Sequence, residues 1–287
     1  MSRGLDHVVH AVCDLEAAGD LYRRLAFTVG ARNRHSWGTH NRLIQLPGFF
    51  IELLTVAEPE LLGEDGFSTL FGRFNQSFLA RHEGLSVLIL ESTNAAADAA
   101  AFKSAGIAAS DALTFEREGK RPDGSAIKVG FSLAFARDQR APEIGFATCQ
   151  QHFPENFWNA AFQQHANGAC GIAAAVLVAD NPSDHHEFLS VFTGQRELSA
   201  GSGYVTAATP RGDVRILDPT AFRDRFGTMP PDVAAGARLG ALVFRVRDRT
   251  ALTAALAAAA VPCLARQGAI VVPQAMGATL VFEPDRP

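Results

Sequence analysis

Gly4-Leu5-Asp6-His7-Val8-Val9-His10-Ala11-Val12-Cys13-Asp14 opens a pattern that the chain uses four times. Val8, Val9, Ala11 and Val12 are small or β-branched, and strand side chains alternate faces. His7 and Val9 therefore share one face, while Val8 and His10 take the other. The two histidines cannot serve one site directly. Asp14 fits a helix N-cap, and Leu15, Ala18, Leu21, Tyr22 and Leu25 recur at helical spacing to form one apolar stripe, which Gly30 ends. Strand-forming segments then run to Phe49-Phe50-Ile51-Glu52-Leu53-Leu54, completing a β-α-β-β-β unit.

The second copy starts at Gly84-Leu85-Ser86-Val87-Leu88-Ile89-Leu90-Glu91, continues through an Ala-rich helix over 94–105 ended by Gly106, and predicts a hairpin around Pro122-Asp123-Gly124-Ser125. Its last strand reads Ile144-Gly145-Phe146-Ala147-Thr148-Cys149-Gln150-Gln151-His152. The third copy runs from Gly171-Ile172-Ala173-Ala174, through a helix over 183–192 ended by Gly194, to strands over 203–209 and 213–217. The fourth runs from Leu239-Gly240-Ala241-Leu242, through a helix over 250–260, to Thr279-Leu280-Val281-Phe282-Glu283. Ala174 stands in the place of His7, and the position matching Glu52 in the third copy is apolar or basic.

The 287 residues suffice for two domains with substantial cores. A hydrophobic share of 47% with 20% charged residues is globular, and a net charge of -4 gives no electrostatic reason to expect nucleic acid. No run approaches the roughly 20 apolar residues of a membrane helix, and the start lacks a basic-then-apolar signal, so a cytoplasmic protein is expected, with no membrane partner. Cys13, Cys149, Cys170 and Cys263 form no CxxC pair, which argues against a zinc knuckle or a disulfide framework.

Two stretches concentrate chemistry. Between 31 and 48 lie Arg32, Arg34, His35, Trp37, Thr39, His40, Asn41 and Arg42, which read either as ligand-binding groups on a rigid scaffold or as a solvated edge with one Trp over the core. Pro154-Glu155-Asn156-Phe157-Trp158-Asn159 forms an aromatic bridge between the halves, and it reads as closing a cavity or as anchoring a linker. The connection over 57–83, broken by Pro59, Gly63, Gly66 and Gly72, reads as a lid or a spacer with a helix over 68–79. Asp184, His185, His186 and Glu187 are adjacent on a helix, point about 100° apart, and cannot chelate together.

The stretches "GLDHVVHAVCDLEAAGDLYRRLAFTVG", "HSWGTHNRLIQLPGFFIELL" and "CQQHFPENFWNAAFQQHANGA" resemble the vicinal oxygen chelate superfamily, and more closely its glyoxalase-like branch, within the glyoxalase, bleomycin-resistance and extradiol dioxygenase type. That resemblance implies an α+β fold of four βαβββ modules paired into two half-barrel domains. These would be residues 1–167, with modules 1–57 and 84–152 and the site, and 168–287, with modules 171–218 and 239–284 lacking ligands. It implies that His7 and Glu52 are metal ligands, with Glu52 also moving protons. Ser86 departs from the family pattern, in which a second His is common.

Period-two alternation puts Phe146, Thr148, Gln150 and His152 on one face, so Gln150 or His152 is expected to join the cavity. His7, Glu52 and His152 would then bind a divalent Zn, Ni, Mn or Fe ion, with Trp37, Asn41, Phe50, Gln150 and Phe157 against the substrate. The expected function is a divalent-metal-dependent isomerase, lyase or dioxygenase acting on a small vicinal-oxygen or thiol-conjugated molecule. The competing reading is a metal-free binding protein of the bleomycin-resistance type with a cavity lined by Trp37, Phe50, Phe146 and Phe157. A small molecule is the expected partner, and a homodimer is compatible with the sequence.

Overall fold

The computed structural model describes residues 2–120 and 126–285, so the turn expected at Pro122-Asp123-Gly124-Ser125 lies outside the described residues. The first module consists of β1 (Leu5–Ala11), α1 (Leu15–Arg24), β2 (Asn33–Arg34), β3 (Thr39–Leu46) and β4 (Phe49–Val56). A connection follows, with a π-helix over Ser68–Arg73 running directly into α2 (Phe74–Leu79). The second module holds β5 (Gly84–Glu91), α3 (Ala95–Ser104), β6 (Leu113–Lys120), β7 (Ala126–Ala136) and β8 (Gly145–Gln151), and then the bridge contributes α4 (Pro154–Phe157). The third module has β9 (Ala169–Val178), α5 (His186–Thr193), β10 (Ser199–Gly201), β11 (Tyr204–Ala208) and β12 (Asp213–Leu217). After α6 (Pro219–Phe226), the fourth has β13 (Arg238–Val246), α7 (Arg249–Ala258), β14 (Leu264–Arg266), β15 (Ala269–Ala275) and β16 (Ala278–Pro284).

Capping residues start each module's helix. Asp14, Asn94 and Asp248 accept hydrogen bonds from backbone N–H groups of α1, α3 and α7, and Asn181 does so for the short 3-10 turn that leads into α5. Gly194, with φ +69°, closes α5 in the left-handed conformation that glycine takes without penalty. Helix α6 is absent from the sequence reading; Asp218 caps it and Pro219 opens it.

The strands make two curled eight-stranded sheets, ordered β2-β3-β4-β1-β5-β8-β7-β6 and β10-β11-β12-β9-β13-β16-β15-β14. In each sheet the opening strands of the two modules run antiparallel side by side, and each lies parallel to the last strand of its own module. Two modules thus close around one hollow.

The largest apolar cluster lies between the sheets. It takes Val8, Leu53, Leu88 and Phe146 from the first half and Ala175, Leu242, Phe244 and Phe282 from the second, with side chains of α1, α3, α5 and α7. His10 belongs here as well, accepting from the Tyr22 hydroxyl at 3.0 Å and donating from Nε2 to the Met276 carbonyl at 2.9 Å. Smaller apolar clusters line the opposite, hollow face of each sheet: Val9, Val87, Ile89, Ala147 and Cys149 in the first, and Ala174, Val176, Val243 and Val281 in the second. No helix among the described residues is long and apolar enough to cross a membrane.

Candidate functional site

The hollow of the first sheet holds a cavity of about 70 Å³. Its floor is β1 and β4. Leu5 pairs with Leu90 and His7 with Ile89, so Asp6 is an extra residue without an opposite number, a β-bulge. A bulge re-aims its side chains. Here the Asp6 Oδ1 atom lies 2.5 Å from His7 Nδ1, and Gln151 Nε2 donates to Asp6 Oδ2 at 3.0 Å. A carboxylate only accepts, so Nδ1 carries the proton in the neutral ring and Nε2 is left as an acceptor. The imidazole stacks on Phe50, with centroids 4.2 Å apart.

Glu52 pairs across the sheet with Val9 on one side and Leu43 on the other, which brings it to the His7 face. It is 5% exposed. Asn41 Nδ2 donates to Glu52 Oε1 at 2.5 Å, and Asn33 Nδ2 donates to Asn41 Oδ1 at 3.0 Å. Burial raises the Glu52 carboxyl above the ordinary range, opposed by the His7 charge and the Asn41 bond. Beside them His35 bonds Thr39 Oγ1 through Nδ1 at 2.8 Å and stacks on Trp37. Burial, then the charges of Arg117 and His40, push the His35 pKa down to about 3.

Aromatic rings wall the cavity. Trp37, Phe50, Phe67, Phe71, Phe115, Phe131 and Phe157 all line it. Phe67 and Phe71 come from the 57–83 connection, so that segment covers one flank of the cavity, with its π-helix at the rim. Phe157 arrives from the bridge, held where Gln45 Nε2 donates to its carbonyl at 2.9 Å.

The structure gathers His7, Glu52, Trp37, Asn41, Phe50 and Phe157 at one cavity, and corrects the rest. Gln150 faces the other way: its Oε1 accepts from Ala95 N at the start of α3. His152 is exposed and bonds Ser132 Oγ at 2.7 Å, and Ser132 is the cross-strand partner of Gln150. Phe146 lies in the core between the sheets, 4.7 Å from Phe188. Cys149 and Gln151, with Ala147 before them, face inward from β8. The expected phase was off by one residue because burying the Phe146 ring in the shared core outweighs presenting polar groups to the cavity, and one step flips every side chain. His40 and Arg42 also turn away, to Glu58 and Glu16.

The same registers show what the second module supplies. Val87 pairs with Gly145 as His7 pairs with Phe50, so Val87 and Ala147 occupy the places of His7 and Glu52. Ser86 instead donates to Asn75 Oδ1 at 2.7 Å. No group of three or more His, Cys, Asp or Glu placed to hold a metal ion exists among the described residues. Zinc sites use three or four protein ligands. His7, His35, Glu52 and Cys149 line this cavity, but no three of them are grouped to share an ion, so they do not fit a resident divalent metal. Sequence reasoning missed Asn33, Cys149 and Arg117 as cavity groups and Asp6 as the partner of His7; only for Asp6 was there a signal, its adjacency to His7, which alternation would have rejected.

Two curled sheets, each closed by a pair of βαβββ units around a hollow that the opening and closing strands share, are the fold of the vicinal oxygen chelate superfamily. Within it, the chain belongs to the glyoxalase-like domain family, whose model matches residues 5–193. The architecture is similar to that of a hypothetical protein from Staphylococcus aureus, with a TM-score of 0.68 and 14% identity over 99% of this chain and 100% of that one. It is also similar to a mutant of 4-hydroxymandelate synthase from Streptomyces coelicolor, with a TM-score of 0.57 and 12% identity over 99% of this chain and 92% of that one. At these identities the likeness is one of fold. No curated protein matches the sequence.

Proposed function

We propose that the first hollow is a proton-transfer site for a small aromatic or apolar molecule with an acidic C–H beside a carbonyl, that is, an isomerase-type enzyme. One observation carries this reading: two proton-carrying groups in different environments share one aromatic cavity. His7, oriented by Asp6, offers a basic Nε2. Glu52 is in surroundings that favour its protonated form. His7 takes the proton from carbon, the electron pair moves to the carbonyl oxygen, and Glu52 or the protonated imidazole returns a proton at the new position. Arg117 at the cavity wall suits an anionic substituent. A volume of about 70 Å³ favours a compact substrate over a glutathione adduct.

The aromatic walls also support the second reading, sequestration without chemistry. A thermal-shift screen with small aryl 2-oxoacids, 2-oxoaldehydes and glutathione adducts selects ligands, because binding to the folded state alone raises Tm. Each hit is then followed by NMR in D2O for enzyme-dependent exchange of its C–H. Exchange that drops by about 10²–10⁴ in His7→Gln and Glu52→Gln, with binding retained, supports the proposal. Binding without exchange in the native protein leaves sequestration. Elemental analysis tests the metal-dependent reading: a stoichiometric ion lost in His7→Ala would restore it.

A further inference from the structure

The second sheet has a hollow of its own, and it is lined by arginines. Asp213 pairs with Ala174 and Arg215 with Val176, as Phe50 pairs with His7 and Glu52 with Val9. Arg215 therefore stands where the first hollow has Glu52. Around it lies a cavity of about 350 Å³ whose lining includes Arg225 from α6, Arg245 from β13 and Arg266 from β14, with Glu283 the one carboxylate among the lining residues. Exposed Pro284 offers it apolar surface, and the buried Phe226, Ala269 and Val281 lie behind it.

These guanidiniums are not neutralised by one another's partners. Arg215 pairs with Asp213 through Nη2 at 2.8 Å, while its Nη1 is buried with no hydrogen-bond partner. Arg225 reaches Glu283 only at 3.6 Å. Arg266 is steered by donating Nε and Nη2 to the Asp224 carbonyl at 3.1 and 2.8 Å, a contact that holds it in place without cancelling its charge. Arg245 makes no ion pair among the described residues. Four guanidiniums against the two carboxylates of Asp213 and Glu283, in a chain whose net charge is -4, leave a local excess of positive charge that suits an anion.

We infer that this hollow binds a small phosphorylated molecule, its phosphate on Arg215, Arg245 and Arg266 and its apolar part against Pro284. Planar guanidinium forks match phosphate oxygens bidentately, and the volume falls in the range of small-ligand sites. All four arginines lie beyond residue 193, outside the segment matched by the family model.

Isothermal titration of the full chain at low salt, with inorganic phosphate and separately with phenyl phosphate, tests this. Phenyl phosphate is expected to bind with a Kd of about 1 mM or tighter, more tightly than inorganic phosphate, and to weaken as salt rises. Arg245→Gln and Arg266→Gln, at exposed positions, should each weaken it at least about tenfold, and Arg215→Met more. Arg117→Gln should leave it unchanged, which separates this site from the first hollow. Equal binding of the two probes would overturn the ester assignment. Absence of binding, or binding that survives the Arg245→Gln/Arg266→Gln double variant, would overturn the site.

Discussion

The side chain of Asp6 shows how much one residue out of register can do. Strict alternation would turn it away from His7, yet the bulge brings its carboxylate to 2.5 Å from the imidazole. Asp6→Asn should keep the fold and lower any turnover, because the amide no longer fixes the tautomer that leaves Nε2 basic; a pH–rate profile against native protein reads this. Glu52 has a stability consequence. Its folded-state pKa is raised, so its contribution is fully present below the unfolded value of 4.5 and is lost as pH rises through the raised one. Glu52→Gln should accordingly gain on the native protein as pH climbs from 4.5 towards neutrality, as followed by urea denaturation. His35 works the other way. With the folded pKa lowered to about 3 from 6.5, its contribution is intact above 6.5 and is lost on acidification, by at most ~1.4 kcal/mol per pH unit. His35→Gln should flatten that acid limb.

At the scale of elements, the modules are held to pattern by their caps and by the faces their strands bury. Asp14→Ala or Asn94→Ala should each cost about 1 kcal/mol in equilibrium denaturation, the usual loss when an N-cap acceptor disappears. Strand β8 is where pattern misled. Phe146, Thr148 and Gln150 looked like a cavity face beside the aligned His152, but Phe146 packs on Phe188 and Phe192 between the sheets and takes Gln150 with it. The connection over 57–83 was legible as packed, given its Phe and Leu content. Its role was not, because nothing local says that Phe67 and Phe71 reach the cavity.

Across the whole molecule, one apolar core serves both halves, and Phe27 touches both Phe244 and Phe282 within it. Both tryptophans, Trp37 and Trp158, lie in the first half, so their fluorescence reports that half while far-UV circular dichroism reports all four modules. The two unfolding curves should coincide. Phe244→Ala, in the second half, should shift both together by about 3–5 kcal/mol. The sequence by itself determined the four βαβββ patterns and their helices, because period-two and period-3.6 patterns are local and repeated, and its family resemblance implied the two half-barrels and the pairing of His7 with Glu52. Only the tertiary structure decided that Asp6 backs His7, that Gln150 and His152 leave the cavity, and that Arg215 and its neighbours ring a second hollow. Those outcomes depend on a bulge, on a competition to bury large rings between sheets, and on residues far apart in the chain meeting across a curled surface, none of which a local period encodes.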